Sequence, residues 1–210
     1  MIASEDDARA FVAKRCSAEA FAVLESYVEH LRREAENQNL VSRNSLDAVW
    51  SRHIADSAQL LDHVPRGNTN WLDLGSGAGL PGLVIAIMRP DIAVTLVEAR
   101  RKRSAWLEYL CATLATCAPR IIGAKLESVL DERFNVISAR AFAPLQRLLD
   151  LAGRFADERT IWLLPKGRSA VEELASLAPE AQKGFHVEPS ITDDHAGILV
   201  GNYRVPERKS

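Results

Sequence analysis

The sequence has few cysteines and no long apolar run, and both absences limit what kind of protein it can be. Its 210 residues include three cysteines, Cys16, Cys111 and Cys117, none in C-x-x-C spacing. This predicts a reduced cytoplasmic protein without structural zinc. The longest wholly apolar run, residues 83–88, is far shorter than the roughly 20 residues that cross a membrane. The first residues also lack a secretory pattern, and the histidines lack metal-ligand pairing, so we expect neither a membrane segment nor a metal site.

Neither sign of charge dominates, since the chain has 26 Lys and Arg and 28 Asp and Glu, but the basic residues are unevenly distributed along it. Arg100, Arg101, Lys102 and Arg103 form an unbroken basic block at the start of a predicted helix. Cations there oppose the helix dipole by about 0.3–1 kcal/mol each, so an anionic partner explains the block better than solubility does. We expect Arg100, Lys102 and Arg103 to face this anionic partner; a merely solvated helix face is the alternative.

The most informative segment that is present is the glycine-rich run Trp-Leu-Asp-Leu-Gly-Ser-Gly-Ala-Gly-Leu-Pro-Gly over residues 71–82. It reads as a buried strand, a turn too tight for side chains, and a helix that begins near Pro81. Glycine permits unusual backbone dihedrals and close approach of a ligand, and a helix N-terminus favours negative charge. The segment therefore predicts a site for a nucleotide-type cofactor.

Two cofactors compete for this turn. Gly77, Gly79 and Gly82 match the dinucleotide fingerprint, and Glu98 follows at the distance expected of an acid that binds ribose. Asp73 favours the other cofactor, because a carboxylate inside the strand would repel a pyrophosphate and attract the cationic amino-acid end of S-adenosylmethionine (SAM). The pattern resembles the first motif of SAM methyltransferases. An ordinary turn in which Asp73 caps the helix is the remaining alternative.

Strands and helices alternate after residue 65, which predicts an α/β fold with a mostly parallel sheet covered by helices on both faces. We place strands near 70–74, 92–97, 119–123, 134–138 and 160–164, and helices near 81–89, 101–117, 144–156 and 168–178. Two further strand-like runs, 185–187 and 196–205, predict an antiparallel hairpin at one edge. Helices near 18–37 and 46–61 form an N-terminal extension, residues 1–64. The break Pro65-Arg66-Gly67-Asn68 separates it from a Rossmann-like domain, residues 65–210.

Ligands bind such sheets beyond the carboxyl ends of the strands. The residues there are the glycine turn, Glu98, Glu127, the segment 138–140 that ends in Arg140, and the segment 165–167 that contains Lys166. No cysteine nucleophile stands among them, and the fourth strand lacks the Asn-Pro-Pro-aromatic segment of exocyclic-amine methyltransferases. We therefore expect an acceptor that carries its own lone pair and needs no base.

Several motifs together resemble one family, and they span residues 20–205. They are Asn39-Leu40, Arg52-His53-Ile54-x-Asp56-Ser57, the run from Asp73 to Gly82, Lys102-Arg103, Ala139-Arg140-Ala141 and Lys166-Gly167. Their order and spacing are similar to those of the glucose-inhibited division protein B family, the bacterial small-subunit ribosomal RNA guanine-N7 methyltransferases. One departure is Val41, where a threonine often follows the Asn-Leu pair.

The resemblance implies a Rossmann-like class I methyltransferase that uses SAM and acts on 16S ribosomal RNA or the small ribosomal subunit. Arg100, Lys102 and Arg103 would then contact RNA phosphates, and we expect a monomer. The resemblance also implies that SAM lies on Gly75 and Leu80, with Leu126 and Glu127 beside the adenine and Arg140 closing the site. The motif residues Asp73, Gly77, Gly79 and Glu98 complete the predicted cofactor site. Arg140 and Lys166 are our candidates for holding the guanine, with salt bridges to Glu127 or phosphate as their alternative. Arg52 and His53 are expected to contact RNA or to dock a helix, not to act as bases.

Other classes of function stay open at this point. A SAM enzyme acting on a small molecule predicts a hydrophobic lid in place of the basic block. An NAD-binding oxidoreductase is disfavoured by the position of Asp73. An RNA-binding module without activity is disfavoured because the glycine turn is intact.

Overall fold

A seven-stranded sheet forms the centre of the chain, of which a computed structural model describes residues 1–65, 67, 69–114 and 119–204. Its strands are β1 (Thr69–Leu74), β2 (Ile92–Val97), β3 (Arg120–Ile122), β4 (Val136–Ala139), β5 (Ile161–Lys166), β6 (Phe185–Pro189) and β7 (Gly197–Gly201). Their spatial order is β3-β2-β1-β4-β5-β7-β6. The first five strands pair in parallel, and β7 runs antiparallel to both β5 and β6. The predicted mostly parallel sheet with an antiparallel hairpin at one edge is confirmed.

The α-helices of the described residues surround this sheet. They are α1 (Glu5–Ala13), α2 (Ala18–Glu34), α3 (Arg43–Leu46), α4 (Asp56–Ala58), α5 (Gly82–Met88), α6 (Arg101–Leu114), α7 (Leu145–Ala152), α8 (Ala170–Ala175) and α9 (Pro179–Lys183). The first two start at serine caps, because the hydroxyls of Ser4 and Ser17 accept hydrogen bonds from backbone N–H groups in the first turn. Our sequence analysis predicted α2 but not α1.

Two hydrophobic cores lie on the two faces of the sheet. Trp71 and Leu72, adjacent in β1, are both fully buried but belong to different cores, because successive strand side chains point to opposite faces. The first core includes Leu24 and Leu31 of α2 together with Leu83 of α5, so the N-terminal helices and the sheet share it. The second core is covered mainly by α7. The domain division at residue 65 stays a prediction.

The segment 46–63 departs from the regular helix that we predicted over 46–61. It contains a π-helix (Trp50–Ala55), followed by α4 and a 3₁₀-helix (Gln59–His63). The carboxylate of Glu5 accepts the backbone N–H groups of Trp50 and Ser51 at 2.9 and 2.8 Å and so fixes the start of the wider turn. Such turns are common at functional sites, and this one carries Arg52 and His53.

Some predicted boundaries fall outside the described residues. These are Arg66 and Asn68 of the break before β1, the helix end at Cys117 and the strand end at Val205. Among the described helices, none is long and apolar enough to cross a membrane.

Candidate active site

The glycine turn between β1 and α5 contains three positions whose backbone conformation favours glycine. Gly75, Gly77 and Gly79 have φ values of 68°, 56° and 108°. A left-handed backbone costs other residues roughly 1–2 kcal/mol each, so this conformation depends on glycine. The turn therefore contributes only backbone of its own at these three positions, at the carboxyl end of β1, where the predicted cofactor would lie. Leu80, the next predicted cofactor residue, is buried beside it.

The carbonyl of Ala78, at the tip of this turn, is held from two sides. The hydroxyl of Tyr27 in α2 and the indole N–H of Trp106 in α6 both donate to it, each at 3.1 Å. Tyr27 is fully buried, and burial raises the pKa of its phenol, so it remains a donor. The spacing of apolar residues along a helix carries no signal that two side chains share one acceptor.

Asp73 is fully buried below the turn and belongs to a chain of hydrogen bonds. The indole of Trp71 donates to the hydroxyl of Ser138, which donates to Oδ1 of Asp73 at 2.7 Å. Oδ2 of Asp73 accepts the N–H of Gly82 at 3.2 Å, so Asp73 caps α5. Burial raises the pKa of this carboxyl against the lowering effect of its hydrogen bonds. The attraction of the cationic end of the cofactor by Asp73 stays a prediction.

Glu98 follows β2 and faces the same turn. Its carboxylate accepts the N–H groups of Gly77 at 3.0 Å and Arg100 at 2.7 Å, and it is almost fully buried. A carboxylate can accept about four hydrogen bonds, so acceptor capacity is left for ribose hydroxyls. Glu98 therefore ties the glycine turn to the start of α6.

A cavity of about 790 Å³ lies beyond the carboxyl ends of β4 and β5. It brings together four of the predicted site residues from distant parts of the chain. Those four are Arg52, His53, Arg140 and Lys166, and Asp56, Phe142, Pro144, Pro165 and Glu173 also line it. The carboxyl-end position agrees with the general location of ligands in such sheets.

Arg140 projects toward the π-helix and is held there by several acceptors. Its Nη1 lies 3.1 Å from Nδ1 of His53, 3.4 Å from the carbonyl oxygen of Arg52 and 3.7 Å from Oδ2 of Asp56. A guanidinium can only donate, so Nδ1 of His53 is the acceptor and the ring proton is on Nε2. Nε2 lies 2.9 Å from the hydroxyl of Ser45.

Burial, and then the charges of Arg140 and Arg52, lower the pKa of His53 to about 3. His53 is thus a neutral, buried acceptor at neutral pH. It orients Arg140 and is not a candidate for a base.

Lys166 enters the cavity from the end of β5 with its charge already paired. Its Nζ lies 2.7 Å from Glu173 of α8, and the hydroxyl of Ser169 donates to the other oxygen of that carboxylate at 2.9 Å. Although burial opposes it, these hydrogen bonds lower the pKa of Glu173 and keep it ionised. Sequence reasoning missed Glu173, because a helix residue seven positions after Lys166 carries no local signal.

Phe142 connects the cavity with the glycine turn. A Cβ built on Gly75 would lie 2.8 Å from Cδ2 of Phe142, so this ring covers the turn directly. Phe142 also lines the cavity. The preceding Ala141 has a φ of 52°, a conformation that is unusual for alanine and that marks a backbone held by its surroundings. The two groups of predicted residues are therefore adjacent.

The remaining predicted residues lie around this centre. Arg100 and Lys102 are exposed at the start of α6, whereas Arg103 is half-buried against the glycine turn. Leu126 is buried, and Glu127 is exposed beside it in a single 3₁₀ turn after β3. Among the described residues, no cluster of His, Cys, Asp and Glu could hold a metal ion.

Comparison with known proteins agrees with this geometry. A family model described as GidB, rRNA small subunit methyltransferase G, matches residues 20–197. The chain belongs to this family. A ribosomal RNA small subunit methyltransferase G of Erythrobacter litoralis is 55% identical over 97% of this chain and 99% of its own. One from Rhizorhabdus wittichii is 44% identical over 100% of this chain and 97% of its own.

Solved structures show the same fold at low sequence identity. A mutant of MtNAS in complex with S-adenosylmethionine has a TM-score of 0.56 at 16% identity and covers 96% of this chain and 89% of its own. A fibrillarin/Nop5p complex gives 0.55 over 72% of this chain and 80% of its own, also at 16% identity. The predicted family, the Rossmann-like fold, the methyltransferase class and the SAM cofactor are confirmed.

Proposed function

We propose that this protein transfers a methyl group from SAM to N7 of a guanine in 16S ribosomal RNA, as a cytoplasmic monomer. The observation that carries the proposal is the contact of Phe142 with the Gly75 turn, which joins a cofactor surface to a cavity that holds Arg140 and Lys166. The relatives named above are ribosomal RNA small subunit methyltransferases, which supports the RNA substrate.

The cofactor side of the site fits SAM. A Cβ built on Gly77 would meet only ordinary contacts, the nearest at 3.5 Å, so the turn is open at Gly77. Glu98 stands where it can accept the ribose hydroxyls, and Leu126 and Glu127 follow the neighbouring strand on the side proposed for the adenine. When bound there, SAM supplies an activated methyl group and a neutral thioether leaving group.

The cavity side fits the N7/O6 edge of guanine. This edge offers only acceptors, so it requires donors from the protein. Arg140 keeps Nε–H and Nη2 donors beyond the contacts of its Nη1, whereas Lys166 is already paired with Glu173. We therefore assign O6 to Arg140, with Lys166 close by and the base stacked on Phe142. Stacking on an aromatic ring is the usual way in which an unpaired RNA base is held.

No group in this arrangement has to remove a proton. N7 of guanine attacks through a lone pair that carries no proton at neutral pH, so transfer requires placement of the base in line with the methyl group. His53 stays neutral and accepts from Arg140, so its part is to orient that guanidinium.

A flat pH profile is the first expected result. Because neither the acceptor nor His53 titrates, the rate of the chemical step should be constant from about pH 6 to about pH 9. The measurement is single-turnover methyl transfer to small ribosomal subunits that lack this methylation, at saturating SAM. A bell-shaped profile centred near neutrality would instead indicate an acceptor that must lose a proton, such as an exocyclic amine.

The basic block gives a second expected result, which separates an RNA enzyme from one that acts on a small molecule. Each phosphate contact that is lost should lower the log–log salt slope of RNA binding by about 0.7 to 0.9. Arg100→Ala with Lys102→Ala should therefore lower it by about 1.4 to 1.8 and leave SAM affinity unchanged. Arg147→Ala, an exposed cation of α7, is the matched control and should leave the slope as it is. An RNA affinity that changes neither with salt concentration nor with the double substitution would favour a small-molecule acceptor.

A further inference from the structure

Arg103 differs from the rest of the basic block in where its side chain lies. Arg100, Arg101 and Lys102 are exposed, but Arg103 turns inward from the first helical turn of α6 and is half-buried. A Cβ built on Gly77 would lie 3.7 Å from Nη1 of Arg103. The guanidinium thus rests beside the middle glycine of the cofactor turn.

A second contact fixes that orientation. Nη2 of Arg103 donates to the carbonyl oxygen of Asn39 at 3.0 Å, which attaches the chain after α2 to the start of α6. With Nη2 used in this way, Nη1 is the nitrogen that faces the turn. Arg103 therefore sits between the N-terminal helices and the glycine turn.

The charge of Arg103 has no counter-charge at this place. Among the described residues, no carboxylate lies within salt-bridge distance of Arg103. The acid of the turn, Glu98, directs its oxygens at the N–H groups of Gly77 and Arg100 instead. A half-buried guanidinium without a carboxylate partner is available to an anion that binds beside it.

The backbone of the turn offers an anion little else. The N–H groups of Gly75 and Ser76 donate to Val97, and those of Gly79 and Leu80 donate to the carbonyl of Ser76. Glu98 uses the N–H of Gly77, so among the described hydrogen bonds only the N–H of Ala78 is left without an acceptor in this turn. A full positive charge beside the turn has to come from a side chain. SAM carries one anionic group, the carboxylate of its methionine part.

We propose that Arg103 binds the methionine carboxylate of SAM and is a cofactor residue, separate from the RNA contacts of Arg100 and Lys102. The inference rests on the SAM-dependent function proposed above. Charge-assisted hydrogen bonds of this kind are strong, and a guanidinium matches a carboxylate in shape.

The test compares SAM with decarboxylated SAM, which lacks only the carboxylate, by calorimetric titration without RNA. Arg103→Ala should lower the affinity for SAM about 10- to 150-fold and leave the affinity for decarboxylated SAM within about 3-fold of the wild-type value. The SAM affinity of Arg103→Lys should lie between those of the wild type and Arg103→Ala, because lysine keeps the charge but not the paired N–H donors of the guanidinium. Arg101→Ala, an exposed neighbour, should change neither affinity and controls for the general field of the block.

Three outcomes would count against the assignment or its basis. If Arg103→Ala weakens both ligands equally, the residue acts by anchoring Asn39 and not through the carboxylate. If SAM affinity does not change while RNA affinity falls, Arg103 belongs with the phosphate contacts. If the wild-type protein fails to bind SAM at all, the proposed function fails first, so the two failures are distinguishable.

Discussion

Gly77→Val should give a folded protein that no longer binds SAM. Gly77 has a φ of 56°, which a β-branched residue adopts at a cost of at least about 1–2 kcal/mol. A Cβ at this position would lie 3.5 Å from the carbonyl oxygen of Gly75 and 3.7 Å from Nη1 of Arg103, which are ordinary contacts. The methyl groups of valine, however, would occupy the surface on which the cofactor lies. Binding is lost for lack of space while the fold survives.

Calorimetric titration with SAM measures this loss, and circular dichroism shows that the variant is folded. Gly77→Ala is the graded comparison, because its smaller side chain should weaken binding without abolishing it. Unchanged affinity in a folded Gly77→Val protein would remove the glycine turn from the cofactor site.

Arg140→Ala should lower the single-turnover rate of methyl transfer about 100-fold at saturating SAM. The guanidinium is held at 3.1 Å from His53 and 3.7 Å from Asp56 and carries donors into the cavity beside Phe142. Without it, a guanine bound as proposed would lose its contact at O6 and its alignment with the methyl group. Small misplacement of reacting atoms is enough for a loss of this size.

Saturating SAM matters in this experiment, because Arg140 is also a predicted cofactor residue. Were its part limited to cofactor binding, the SAM affinity would fall and the rate at saturation would recover. The single-turnover rate of Arg140→Lys should fall between those of the wild type and Arg140→Ala. Lysine keeps the charge but cannot contact His53 and a base at the same time. Full single-turnover rate in Arg140→Ala would move this residue away from the reacting atoms.

The sequence was sufficient for the parts of the site that depend on local pattern. The glycine turn at residues 75–79, strand β2 and the acid Glu98 were predicted because glycine spacing and β-branched runs have direct structural meanings. The parallel sheet followed from the alternation of strands and helices, and the edge hairpin from two strand-like runs without a helix between them.

Contacts between distant segments were not predictable in this way. The register that sets Asp73 beside Ser138 depends on the pairing of β1 with β4. The role of His53 changed for a similar reason: we expected it to contact RNA or to dock a helix, but the fold buries it against Arg140. The π-helix that presents His53 adds one residue to a turn, and hydrophobic spacing cannot show that.

The two hydrogen bonds to the carbonyl of Ala78 matter for protein engineering. One of its two donors, Tyr27, stands 51 positions earlier in the chain, so the shape of the cofactor turn depends partly on the N-terminal helices. Chimaeras that exchange these helices between relatives would therefore alter cofactor affinity, even with every residue from 69 onward unchanged. A fragment that begins at β1 would keep the glycine motif but lose one of the two hydrogen bonds that set its shape.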